Sequence, residues 1–156
     1  MKMPTLTEYL AGGIKISGYA FAKWIEATPE DRFSWNPVAE GSHCGRSISD
    51  QASECVFVNY RLIAQLTDAE APKEHPVFKT KEDAVIAMRE SSFQLSKAIL
   101  NASDTKLMEE IEMGQMRIPI VQAIAIGHFN MSYHGGAINY IQTLYGDKEF
   151  IFPSLE

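Results

Sequence analysis

Ile118-Pro119-Ile120-Val121-Gln122-Ala123-Ile124-Ala125-Ile126-Gly127-His128-Phe129-Asn130-Met131-Ser132-Tyr133-His134-Gly135-Gly136-Ala137-Ile138-Asn139-Tyr140-Ile141-Gln142-Thr143-Leu144-Tyr145-Gly146 contains no Asp, Glu, Lys or Arg. A largely apolar stretch of this length without a charge reads as helix. Gln122, His128, Asn130, Ser132, His134, Asn139 and Gln142 break it too often for a lipid-spanning segment. The stretch is therefore expected to be the central helix of a water-soluble bundle, with its polar groups turned inward. Such groups need partners: other side chains, water or a metal ion. Pro119 suits the first helical turn and Gly146 suits the residue past the last.

Three further helix starts lie upstream. Thr5-Leu6-Thr7-Glu8, Ser47-Ile48-Ser49-Asp50 and Thr80-Lys81-Glu82-Asp83 each set a hydroxyl three residues before a carboxylate, the pattern of a capping box. They predict helices over about Leu6–Glu26, Ile48–Leu66 and Lys81–Leu100, joined by a fourth from about Pro119 to Tyr145. Thr28-Pro29-Glu30-Asp31 reads as a turn. On the second helix Ile48, Ala52, Cys55, Asn59, Leu62 and Leu66 form the inward stripe. On the third the stripe is Ala84, Ala87/Met88, Ser91, Leu95 and Ala98/Ile99. The segment Asp104–Arg117 fits either a helical turn or a small hairpin. No other strand pattern occurs. The expected fold is all-α, one four-helix bundle domain over residues 1–156. The linkers Glu26–Arg46 and Thr67–Thr80 are long for such a bundle, and long loops often carry function.

A formal charge of −6 with no basic cluster argues against nucleic acid as partner. The N-terminal residues lack the basic-then-apolar pattern of an export signal. Cys44 and Cys55 fit no zinc or thioredoxin-type spacing. On one helix they would stand roughly 16 Å apart, too far for a disulfide. A cytoplasmic protein, with no membrane partner, is the expectation.

Among residues able to carry chemistry, Asn130 and His134 are one turn apart and share a helix face. His128 points about 120° away and reads as a packing or interface residue. His43 precedes Cys44 in a loop, and His75 precedes Pro76 in a polar linker. Glu54 shares a helix face with Gln51, Val58 and Arg61; periodicity leaves open whether it faces solvent or the bundle. Tyr133 and Tyr140 fit either a core or a pocket. The pair Gly135-Gly136 costs about 1 kcal/mol per glycine in mid-helix, which implies a close neighbour just beyond His134.

The run Ile126 to Ile138 resembles the closing motif of the DinB-like superfamily, roughly His-x-x-Tyr/His-His-x-Gly-Gln-Ile. His134 matches the second histidine, Gly136 the glycine and Ile138 the aliphatic residue. Arg46-Ser47-Ile48-Ser49-Asp50-Gln51-Ala52-Ser53-Glu54-Cys55 resembles the family's second-helix signature, Ser-Ile/Val followed by a metal-binding histidine. Trp35-Asn36-Pro37 resembles the usual connection between the first two helices. The resemblance spans Leu6 to Gly146. It implies a four-helix bundle, often a homodimer, with a divalent metal on three histidines. It further implies a thiol-dependent transferase or hydrolase working on a small-molecule substrate, in stress response or detoxification. Here Glu54 replaces the second-helix histidine, Asn130 the first histidine of the closing motif, and Ala137 the glutamine. Glu54, Asn130 and His134 are then either ligands to Zn²⁺, Ni²⁺ or Mn²⁺, an oxygen-rich set that shifts preference away from soft metals, or a metal-free hydrogen-bond network with Asn130 bridging. In the second case the chain is a non-catalytic ligand-binding or interaction module.

Overall fold

The computed structural model describes residues 3–37, 45–147 and 149. The protein is mostly helical: α1 (Leu6–Ala27), α2 (Glu30–Phe33), α3 (Ile48–Thr67), α4 (Lys81–Asn101), α5 (Asp104–Leu107) and α6 (Ile120–Leu144), with one hairpin, β1 (Glu110–Met113) and β2 (Met116–Pro119). The ambiguous stretch after α4 thus holds both a helical turn and a hairpin. The antiparallel pair runs from Glu110 opposite Pro119 to Met113 opposite Met116. Gly114, in the two-residue turn, takes a φ of 63°, in the left-handed region that favours glycine.

The caps act as the sequence indicates. Thr5 Oγ1 accepts from the Glu8 N–H at 3.2 Å while the Glu8 carboxylate accepts from the Thr5 N–H at 2.6 Å. Ser47 and Asp50 repeat that reciprocal pair on α3. On α4 only the forward bond forms, from the Asp83 N–H to Thr80 Oγ1 at 3.1 Å. Each cap contributes on the order of 1 kcal/mol and sets where its helix begins.

The four long helices pack in a ring. Both α1 and α3 contact α4 and α6, so α1 faces α3 across one diagonal and α4 faces α6 across the other. Pairwise contacts give the directions. Gly13 meets His128, and Trp24 and Thr28 meet Gln142, so α1 and α6 run parallel. Glu54 meets His134 and Leu62 meets Gly127, so α3 and α6 run antiparallel. Lys81 reaches the Thr28 carbonyl and Ser92 meets Gly18, so α1 and α4 are antiparallel. It follows that α3 and α4 are parallel neighbours. Parallel neighbours need a connection that travels back the length of a helix. That requirement, rather than a functional loop, explains the long linker before Lys81.

The predicted stripes are the core. Ile48, Ala52, Cys55 and Leu62 of α3 lie buried with Ala84, Met88, Leu95 and Ile99 of α4 and Ile14, Phe21 and Ile25 of α1. One polar layer crosses this interior. Asn59 Nδ2 donates to Ser91 Oγ at 3.1 Å and Ser92 Oγ at 3.2 Å. No helix among the described residues is long and apolar enough to cross a membrane.

Candidate functional site

His134 stands on the face of α6 that meets α3, with 4% of its surface exposed. Its Nε2 lies 3.1 Å from Glu54 Oε1 and its Nδ1 lies 3.1 Å from Gln51 Oε1. Gln51 and Glu54 are one turn apart on α3, so both reach the same ring. Arg46, just before the Ser47 cap, places its guanidinium 2.5 Å from Glu54 Oε2. Gln51 Nε2 stands 3.5 Å from the Arg46 carbonyl oxygen, a long contact. Four side chains therefore converge, and Glu54 faces inward, as the resemblance implies.

Asn130 does not bridge the pair. Its Nδ2 donates to Cys55 Sγ at 3.8 Å. This geometry leaves little for a metal ion. Both ring nitrogens of His134 and both oxygens of Glu54 already have protein partners. One of those partners is a guanidinium, whose charge opposes a second cation at the same carboxylate. Asn130 turns its amide toward a thiol. Glu54, Asn130 and His134 as arranged do not fit a metal centre. The part of the expected network that holds is Glu54 with His134; Gln51 and Arg46 take the role expected of Asn130.

Burial pushes the Glu54 carboxyl up, but hydrogen bonds from Arg46 and His134 outweigh it and hold the group below its ordinary value. Burial pushes the His134 imidazole down, and the Glu54 carboxylate only partly offsets this. An ionised Glu54 only accepts, so Nε2 must carry the proton. A neutral ring then leaves Nδ1 as acceptor, which a half-turn of the Gln51 amide satisfies, exchanging its oxygen and nitrogen. That turn gives up only the long 3.5 Å contact to Arg46. The neutral ring is accordingly the form at neutral pH.

Beside the circuit lies a surface cleft of about 240 Å³ whose lining includes Arg46, Gln51, Tyr133, His134 and Tyr140. Tyr133 packs edge-on against the His134 ring, with centroids 5.1 Å apart. Tyr133 and Tyr140 are 64% and 66% exposed, so they wall the cleft instead of filling the core. Behind it, Gly135 admits the Trp24 ring: a Cβ there would overlap the ring carbons, which is the close neighbour that the paired glycines imply. Gly136 instead faces open space.

The remaining sequence candidates lie elsewhere. The His128 ring lies over Gly13 of α1, where an added Cβ would stand 3.4 Å from Nε2. His75 is exposed but stacks on Phe57, with centroids 4.1 Å apart. Cys55 is a free, buried thiol whose pKa burial drives far up, so it is inert. His43 and Cys44 fall outside the described residues. Sequence reasoning missed Arg46 and the role of Gln51. The available signal was their placement around the Ser47 cap, which aims both at the face that carries Glu54.

No protein-family model matches the sequence and no curated protein matches it.

Proposed function

We propose that this chain is a DinB-like four-helix bundle in which an Arg46–Glu54–His134–Gln51 circuit stands where relatives of that fold hold a metal, and that it is a non-catalytic binding module for a small planar molecule. One observation carries the reading: every heteroatom of His134 and Glu54 is engaged by protein, and a cleft with two exposed tyrosines opens next to them. The ring order and the up-down-down-up directions support the bundle. Tyr133 and Tyr140 offer aromatic faces, and the half-exposed Arg46 keeps donors for a carboxylate or carbonyl. A cleft near 240 Å³ suits a ligand of one or two rings. A metal-dependent transferase or hydrolase would first require Arg46 to leave Glu54 and Gln51 to leave His134.

Nitrogen-15 NMR titration with benzoate and 4-hydroxybenzoate at millimolar concentration tests this reading. Amide shifts concentrated at Arg46, Gln51 and Tyr133–Ile141, and lost in Tyr140→Ala, are expected. A folded protein whose spectrum ignores both compounds, yet responds to Zn²⁺, Ni²⁺ or Mn²⁺ at the same residues, would favour the metal-dependent enzyme.

A further inference from the structure

We infer that a second small-molecule site lies between α3 and the hairpin, and that it takes a short aliphatic carboxylate. The site is a half-open cavity of about 70 Å³ that shares no lining residue with the tyrosine cleft. Arg61 at its edge stands about 10 Å along α3 from Glu54. The apolar walls are Phe57, Val58 and Leu62 of α3 with Ile111 and Met113 of β1. The packing around them keeps the gap open. Ile111, Met113 and Ile118 rest the hairpin on the core. Leu62 and Val58 back onto Gly127 of α6, where an added Cβ would stand 2.8 Å from Leu62 Cδ1, so the floor cannot sink. The Phe57 ring is pinned by the stacked His75 ring, and Ser53 Oγ ties the linker down by donating to the Pro76 carbonyl at 2.6 Å.

Arg61 supplies the charge. Arg32, Arg46, Arg89 and Arg117 each pair with a carboxylate, whereas Arg61 has no such partner among the described residues. Its guanidinium lies over the Phe57 ring instead, 5.7 Å from the centroid, which holds it at the cavity edge with N–H donors left for an anion. Gln65, one turn further along α3, adds an amide. Glu112 also borders the cavity, but through its backbone. Its side chain alternates with the half-buried Ile111 and Met113 and so stands on the opposite face of β1. The Ile120 N–H donates to the Glu109 carbonyl at 2.9 Å, and alternation along the antiparallel pair then turns the Glu112 N–H and C=O away from β2. Arg61, Gln65 and the Glu112 N–H are thus donors at one mouth above an apolar floor.

Charge and size select the occupant. A carboxylate matches the planar guanidinium with two parallel hydrogen bonds and accepts from the donors beside it. A second charge on the ligand would go unmatched, because no other cation borders the cavity. A cavity of roughly 150 Å³ holds benzene, so this one takes about three carbons. The branched end of 3-methylbutanoate fits that space with its carboxylate in the mouth, while an aromatic ring is too large. The site stands independently of the cleft and of the function proposed for it.

Nitrogen-15 NMR titration of the full chain with 3-methylbutanoate at constant ionic strength tests the inference. Saturating amide shifts are expected at residues 57–65 and 111–113. Arg61→Gln, at an exposed position, should weaken binding about tenfold or more, the worth of a charge-assisted pair. Met113→Trp should fill the gap and abolish binding with the helical circular dichroism unchanged. The neutral 3-methylbutan-1-ol has the same branched end and should bind about tenfold more weakly than the acid. No saturating shift at these residues overturns the inference. Equal binding of acid and alcohol overturns it as well, and so does an Arg61→Gln protein that binds as the parent does. Shifts confined to Arg46, Gln51 and residues 133–141 overturn it while upholding the cleft. Shifts at the hairpin cavity in a protein whose cleft ignores benzoate uphold this site and fail the proposed function instead.

Discussion

Gly135 and Gly136 are adjacent, yet substitution at each should have opposite effects. A methyl at Gly135 meets the Trp24 ring, which cannot retreat as a flexible side chain would, so Gly135→Ala should lose about 1–2 kcal/mol even after the helix-propensity gain. Gly136 faces open space, so Gly136→Ala should gain about 0.5–1 kcal/mol. Urea denaturation of the two variants against the parent checks both signs. The pH dependence also belongs to single residues. His134 is depressed in the folded state, so below its ordinary value of 6.5 the unfolded chain binds the proton first and stability falls with pH. Glu54 is likewise depressed, and its contribution fades below 4.5. Melting temperature should therefore drop from pH 7 to pH 5, and His134→Gln should flatten that slope. A rise over the same range would mean that His134 is an imidazolium held between Gln51 and Glu54. At this scale the sequence was half legible. The i,i+4 spacing placed Asn130 and His134 on one face, and the resemblance implied that Glu54 turns inward. It could not show that Asn130 would meet Cys55, because i,i+4 spacing fixes a face and not a side-chain partner.

At the scale of elements, the helices were readable because caps and stripes are local signals. Each predicted helix boundary lies within one residue of the observed one, since Thr5, Ser47, Thr80 and Pro119 mark the starts themselves. Their arrangement was less readable. That α3 and α4 run parallel depends on contacts between residues more than 30 positions apart, such as Asn59 with Ser91. The linker between them is the one local trace of it. Residues 68–80 must span roughly 30 Å, the length of α3, and at about 3.4 Å per residue they have some slack. Deleting Ala69 and Glu70 should be tolerated. Deleting Glu70–Glu74 should leave the linker too short and abolish cooperative melting by circular dichroism. Equal stability of both deletions would contradict the parallel arrangement.

The molecule as a whole is held by one apolar interior, and its least ordinary surface is the chargeless helix with which the sequence began. Hydropathy could place α6 in the centre of a bundle, but it could not say that one of its faces would remain outside. That asymmetry follows only from the ring, in which α1 and α3 cover two sides of α6 and nothing in the chain described covers the third. The site stands on the covered side and the cleft at the edge of the uncovered one. In the proposed function a guanidinium-locked, metal-free circuit stands where DinB-like proteins hold a metal. Its most direct test is the metal content of the protein purified without chelator and equilibrated with Zn²⁺, Ni²⁺ or Mn²⁺, read together with the melting temperature. Well under one equivalent of any of them, with an unchanged melting temperature, is the expected result. One equivalent of metal that raises the melting temperature, and that disappears in both Glu54→Ala and His134→Ala, would contradict it.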